Sequence, residues 1–422
     1  MGVKAVHIAS EPETAKGFIQ VQAASVAGWA VAGLGFSLPI STSLDGVLLV
    51  VTVVAWIVSG RFAEILGIVR RDRYVLLLPG LFLLLAIGMT HGLASFGERA
   101  KYLWKYDDFL LPLVFVPLFA DPAVRERGLW GVGCGMAVTL MVSLGLAAGW
   151  IPHSSWFHGN QANATAFKLQ ITHSVLMAFA AFLFAEVAMR ATVPWHRYGL
   201  GVLALLAVID VLMFVQGRTG QIVLGTLIIL WCERRFGLRG LVLGMAGVLS
   251  LVALSYAVSP IFYQRVAKTV EEIERAQVES VAPENSSVGV RLEWYHNTVN
   301  LIAAHPLVGV GTGSFPRAYA EMVTDPAAVK PAQPHNQYLL MGTELGMGGL
   351  LALFAMFGTL WWRFRQAGGN LYAELGQGIV LVMAIGCIFN SLLLDHTEGL
   401  FFAWVISAAF ASDGFETSKE LC

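Results

Sequence analysis

The residues of this chain best suited to chemistry are one histidine and a few arginines, and their surroundings say what that chemistry would be. In PAQPHNQYLLMGTELGMGGLL (331–351), Pro331 and Pro334 hold the backbone out of helix until His335, and Asn336 follows as a long apolar run begins. A histidine at the start of a helix feels the positive end of the helix dipole. That field disfavours imidazolium, so the ring is expected neutral and able to accept a proton. The competing reading is an interfacial histidine that only hydrogen-bonds or caps.

Two arginines occupy places where a cation is costly or conspicuous. Arg218 sits in VQGRTGQ (215–221), a short polar break between apolar runs, and an arginine at the edge of hydrocarbon is a functional candidate unless it merely snorkels. Arg291 opens RLEWYHNTVNLIAAHPLVGVGTGSF (291–315), where helical spacing puts Tyr295 and Thr298 on its face. Its bland alternative is a salt bridge to Glu293. The glycines Gly309, Gly311 and Gly313 make a turn able to approach a phosphate, but the turn lacks the lysine of a P-loop and follows no strand. In GERAKYLWKYDD (97–108), Arg99, Lys101 and Lys105 lie among Tyr102, Trp104 and Tyr106. They suit an anionic substrate or an aromatic belt with headgroup-binding cations.

No short polar segment carries the spaced carboxylate pair that would hold a divalent metal on a sugar diphosphate, and HExxH and GxSxG are both missing. Glu186 and Glu344 are the main carboxylates within apolar runs. Guanidinium groups for a diphosphate and an imidazole for a proton are therefore the expected tools, with no cofactor and no metal.

The elements that must position these groups are membrane helices. Of 422 residues 56% are hydrophobic and only 13% charged, about half the charged share of a soluble domain. The net charge of −1 removes the case for a nucleic-acid binder. Apolar runs near 20–40, 45–60, 74–91, 108–120, 128–150, 170–190, 197–216, 219–232, 239–258, 338–360, 371–394 and 399–412 predict an all-α polytopic membrane protein of about twelve transmembrane helices. No cleavable signal peptide is expected at the N-terminus. With both termini cytoplasmic, 16 Lys and Arg fall on the inner side and 11 on the outer, six of those in one long loop. The outer exceptions in short loops are Arg99, Lys101, Lys105, Lys168 and Arg218. The four cysteines avoid the outer loops, so no disulfide framework is expected.

Three regions follow: helices 1–9 over 1–258, a helical outer loop over 259–337 between helices 9 and 10, and helices 10–12 with the tail over 338–422. The loop holds 14 of the 55 charged residues and predicts amphipathic helices over 264–280 and 287–306.

The twelve spans, the outer loop and the order Arg291, Trp294, His305-Pro306-Leu307, Gly309, Gly311, Gly313, Phe315, His335-Asn336, Tyr338, Glu344, Gly346 together resemble the O-antigen ligase/polymerase superfamily of bacterial envelope glycosyltransferases. The motif covers about fifty-five residues and the topology nearly the whole chain. The resemblance implies a GT-C-like fold in the bacterial inner membrane, with the large loop and active site on the periplasmic side. It favours the ligase, because polymerases of this type carry Arg-x10-Gly motifs, and neither Arg218, Arg265, Arg291 nor Arg317 has a glycine eleven residues later. The implied reaction is metal-independent inverting transfer of a preassembled O-antigen glycan from undecaprenyl diphosphate to a sugar hydroxyl of lipid A-core. On that pattern His335 is the base, while Arg218 and Arg291 hold the diphosphate. Arg265, Lys101, Lys105, Arg99, Asn336 and Tyr338 are weaker candidates for diphosphate or headgroup contacts. An O-antigen polymerase, a protein O-oligosaccharyltransferase and, in another class, a lipid-linked oligosaccharide transporter remain as alternatives.

Overall fold

The computed structural model describes residues 15–152, 154–259, 262–264, 266–268, 270–271, 287–326 and 328–416. Among them the regular structure is helical, with one isolated β-bridge between Asn160 and Asn163. Among the described residues eight helices are long and apolar enough to cross a membrane.

The first part of the chain forms α1 (Ala15–Ser37), α2 (Thr42–Ser59), the short α3 (Ala63–Arg71), α4 (Leu77–Gly88), α5 (Phe96–Leu103), α6 (Pro112–Phe119) and α7 (Pro122–Ala147). Local sequence explains their ends. Ser41 caps α2 by accepting from Leu44 N, and Ser95 with Glu98 builds a capping box on α5. Asp121 caps α7, where Pro122 occupies a first-turn position that has no need of an amide donor. The expected span over 108–120 is instead a 3₁₀ segment, Trp104–Leu110, followed by the eight-residue α6. The run over 74–91 is a shorter apolar helix, Arg73–Gly88.

Next come α8 (Gln170–Arg190), α9 (Pro194–Ile209), which ends in a π-helical turn over Asp210–Phe214, and α10 (Arg218–Val258). The two runs predicted over 219–232 and 239–258 are the halves of α10, broken at Gly237, whose φ of 59° is open to glycine without strain. Helix α8 is central: its buried side extends from His173 to Ala188. Helix α2, by contrast, exposes Val47, Val50, Val54 and Ile57 as a lipid-facing side would.

The last part contains α11 (Ser287–Ala304), α12 (Phe315–Met322), α13 (Gln337–Gln366), α14 (Leu371–Phe389) and α15 (His396–Glu416). Helix α11 lies where a helix is expected over 287–306 and ends at Ala304, before Pro306, but Leu292 and Val299 of the expected apolar face are exposed while Thr298 and Leu301 are buried. Of the helix expected over 264–280, only 264, 266–268 and 270–271 are described, and these are helical. The span drawn over 371–394 stops at Phe389, because Asn390 turns to extended backbone.

Ion pairs gather where α8, α10 and α14 meet away from His335. Arg190 bonds Glu186 at 2.6 Å and Glu374 at 2.5 Å, while Arg235 adds Glu186 at 2.6 Å and Arg234 adds Glu374 at 2.9 Å. Each carboxylate meets at least two guanidinium groups, which offsets the cost of burying it. Glu186 is thus engaged in tying three helices together.

Candidate functional site

The site is assembled where the start of α13, the end of α14 and the face of α11 meet. Asn336 turns the chain into α13, its carboxamide oxygen accepting from Tyr338 N and Leu339 N, each at 3.0 Å. His335 precedes this cap with φ 53°, the one described non-glycine residue at positive φ. Histidine tolerates the left-handed region better than a branched residue does, yet the conformation costs about 1–3 kcal/mol and persists only where neighbours enforce it. The neighbours here are identifiable. Tyr295 Oη donates to His335 O at 3.1 Å, Trp294 stacks on the ring with centroids 5.5 Å apart, and His335 Nδ1 lies 2.8 Å from Asn390 Oδ1.

The orientation of Asn390 sets the tautomer of the ring. Its Nδ2 donates to Asp395 Oδ2 at 3.4 Å, so its oxygen faces the imidazole. An amide oxygen only accepts, so Nδ1 carries the hydrogen and Nε2 keeps its lone pair. Burial lowers the pKa of His335 below its ordinary value, the Asn390 bond opposes that shift, and the nearby Arg291 charge adds to it. The neutral ring expected from the helix dipole is therefore secured mainly by desolvation. Burial raises the Asp395 carboxyl to about 6, against the pull of Lys105.

These interactions bring His335, Arg291 and Asn336 together, with Lys105 beside Asp395. Arg218 opens α10, and the methyl of the adjacent Thr219 stands 3.8 Å from where a Cβ on Gly386 would lie. Gly386 is one turn before Asn390, so the exposed Arg218 belongs to the same end of the bundle.

Other candidates are occupied by the fold. Arg99 Nη1 donates to Met89 O at 2.6 Å, closing the end of α4. Tyr338 Oη donates to Ala384 O at 2.7 Å and its ring stacks on Phe354. Lys105 lies over the Tyr102 ring, Lys101 is exposed, and Arg265 lies outside the described residues. Lys168, which broke the charge rule, is buried and donates to Thr42 Oγ1 at 2.8 Å and Asp45 Oδ2 at 3.4 Å.

The glycine turn has a structural use. Val310 N bonds Thr343 O, Gly311 N bonds Glu344 O and Thr312 N bonds Gly88 O at 2.8, 3.0 and 3.1 Å, and Gly313 N donates to Glu344 Oε1 at 2.9 Å. These amides are committed to protein acceptors. Helix α13 breaks at Gly346 (φ 63°), and the turn satisfies the carbonyls freed there while Met347 N reaches Pro306 O at 2.8 Å. A Cβ on Gly311 would stand 2.1 Å from His91 O, so the close approach needs glycine.

Asn390, Asp395 and the stacking of Trp294 were not singled out from sequence as functional. The signal for the first two was a polar break, NSLLLDHTEG (390–399), which begins inside the run counted as apolar over 371–394 and carries Asp395 in the gap before the run over 399–412.

No match to the chain is found among curated proteins. Residues 202–354, which include Arg218, Arg291, His335 and the glycine turn, match the family model described as O-antigen ligase. That stretch is well under half of the chain, and over it the chain is similar to the O-antigen ligase family.

Proposed function

We propose that the protein is an O-antigen ligase of the bacterial inner membrane, transferring a preassembled glycan from undecaprenyl diphosphate to a sugar hydroxyl of lipid A-core at a periplasmic site. The observation that carries this reading is the His335 ring, held with Nδ1 donating to Asn390 and Nε2 left as an acceptor, beside Arg291. In the proposed reaction Nε2 takes the proton of the acceptor hydroxyl. The hydroxyl oxygen then bonds the anomeric carbon as the bond from that carbon to the diphosphate oxygen breaks. Attack from the face opposite the leaving group inverts the centre. Arg291 and Arg218 stabilise the negative charge that develops on the diphosphate, a task suited to the forked guanidinium.

The test is transfer by purified protein in liposomes containing the undecaprenyl-diphosphate glycan and rough lipopolysaccharide, without divalent metal. Wild-type transfer that is lost in His335→Ala and in Arg218→Ala is the expected result. Full transfer by both variants would refute the mechanism. A polymerase would instead extend a second lipid-linked glycan offered as acceptor, and that product would replace the ligase reading.

A further inference from the structure

A second buried histidine network lies beside Arg218. Ser143 on α7, His173 on α8 and Asp210 at the π-turn after α9 are all fully buried. Ser143 Oγ, with one proton to give, lies within hydrogen-bond distance of both Ala164 O and Asp210 Oδ1, the latter at 2.5 Å, and His173 Nε2 donates to Asp210 Oδ2 at 3.2 Å. The other ring nitrogen, Nδ1, accepts from Ala166 N at 3.4 Å. The residue types are those of a hydrolytic triad, but the hydroxyl bonds the carboxylate instead of the imidazole and no atom reaches solvent. Nucleophilic chemistry is therefore closed to it.

What the knot does hold is the backbone leading to Arg218. The π-turn closes with Val215 N bonded to Asp210 O at 3.1 Å. Three bonds then strap 214–216 to 162–164: Ala164 N to Phe214 O at 3.0 Å, Gln216 N to Asn163 Oδ1 at 2.8 Å, and Gln216 Nε2 to Ala162 O at 3.1 Å. On the far side Gly217 and Gly220 lie flush on Ser174, where a Cβ on Gly217 would stand 2.0 Å from Ser174 Oγ. Arg218 emerges exposed between these fixed points.

We infer that Asp210, His173 and Ser143 are positioning residues that fix the 214–217 turn so that Arg218 meets the substrate diphosphate at a set place. This rests on the diphosphate role proposed for Arg218. A buried carboxylate bonded on both oxygens is costly to disturb and has a single arrangement, which makes it a firm anchor for an otherwise short, non-helical link.

The test combines kinetics with a binding measurement that does not need transfer. Asp210→Asn should raise the donor KM about tenfold with kcat and acceptor KM within about twofold, since it displaces a binding group without touching the base. Ser143→Ala, which removes the hydroxyl lying between Asp210 Oδ1 and Ala164 O and leaves Asp210 in place, should shift donor KM the same way by about threefold. In an Arg218→Ala background, where transfer is lost and binding of farnesyl diphosphate is the readout, Asp210→Asn should weaken that binding no further, because both act on one interaction. Binding of farnesyl diphosphate in detergent should weaken in Asp210→Asn in the same proportion, and hydrogen exchange at the Gln216 amide should quicken. If wild type binds farnesyl diphosphate but transfers nothing, the ligase reading falls and weaker binding by the variants still upholds the positioning role. Wild-type binding by both variants, or losses that multiply in the double variant, would overturn it.

Discussion

His173 and His335 each bond a polar partner, and their differences separate the proposed base from the proposed anchor. His173 has both ring nitrogens committed, no exposure, and ordinary helical backbone in α8. His335 has one nitrogen committed and one open, is half-buried, and sits on a left-handed backbone held by Tyr295, Trp294 and Asn390. The partner types differ in the same sense. A carboxylate and an amide N–H leave His173 nothing to offer, whereas the carboxamide of Asn390 takes the Nδ1 hydrogen and stops there. Residue type alone does not choose between them; the unspent lone pair and the backbone strain supported around it are what favour His335 as the proposed base.

The largest expected effect tests that contrast directly. His335→Ala should lower kcat by about 10²–10⁴-fold, the usual worth of a general base, while His173→Ala should act mainly on donor KM. Single-turnover transfer in liposomes measures both, and equal losses of kcat would erase the distinction. Asn390→Ala comes next. With the tautomer no longer enforced, kcat should fall about tenfold or more with little change in donor KM. If Asn390→Ala transfers at the wild-type rate, the ring needs no orienting partner and the contrast loses its main support.

Much of the frame is legible in the sequence because its rules are local. Apolar length gives most of the helices, and Pro331 and Pro334 hold His335 out of the helix, while the starts of α5 at Ser95 with Glu98 and of α7 at Asp121-Pro122 rest on equally local signals that the apolar runs passed over. What escapes is whatever depends on contacts distant in sequence. The glycine turn reads as a flexible phosphate loop until its amides are seen bonded to Thr343 and Glu344. Asn390 lies 55 positions from His335, in a run whose average apolarity hides it. Arg99 and Lys168 stand out against the expected charge distribution, yet both are bonded within the fold, and a count of charges cannot distinguish such packing from substrate binding.

The pH profile gives a smaller and finer test. Burial and the Arg291 charge lower the pKa of His335, so in the free enzyme the base should stay unprotonated to below pH 6.5, with kcat/KM falling only as pH drops through that lowered value. A diphosphate seated on Arg291 neutralises part of the field that disfavours imidazolium. The acid limb of kcat, which reports the bound complex, should therefore lie at higher pH than that of kcat/KM. Coincident limbs would mean that Arg291 does not hold the diphosphate near the ring.

The smallest effect is expected at Lys101. It shares a helix with Arg99 and stands one turn from Lys105, and sequence gives no ground for ranking the three. The structure separates them by their neighbours: Arg99 closes α4, Lys105 lies over Tyr102 and acts on Asp395, and Lys101 is exposed at the end of α5. An exposed lysine in solvent contributes little beyond screened attraction. Lys101→Ala should thus leave transfer within about twofold of wild type, while Lys105→Ala, by removing the cation that opposes protonation of Asp395, should lower transfer more at pH 6 than at pH 8. A Lys101 effect as large as that of Lys105 would show that anionic groups of the proposed acceptor reach across the whole face of α5, and the reacting region would then be wider than the surroundings of His335.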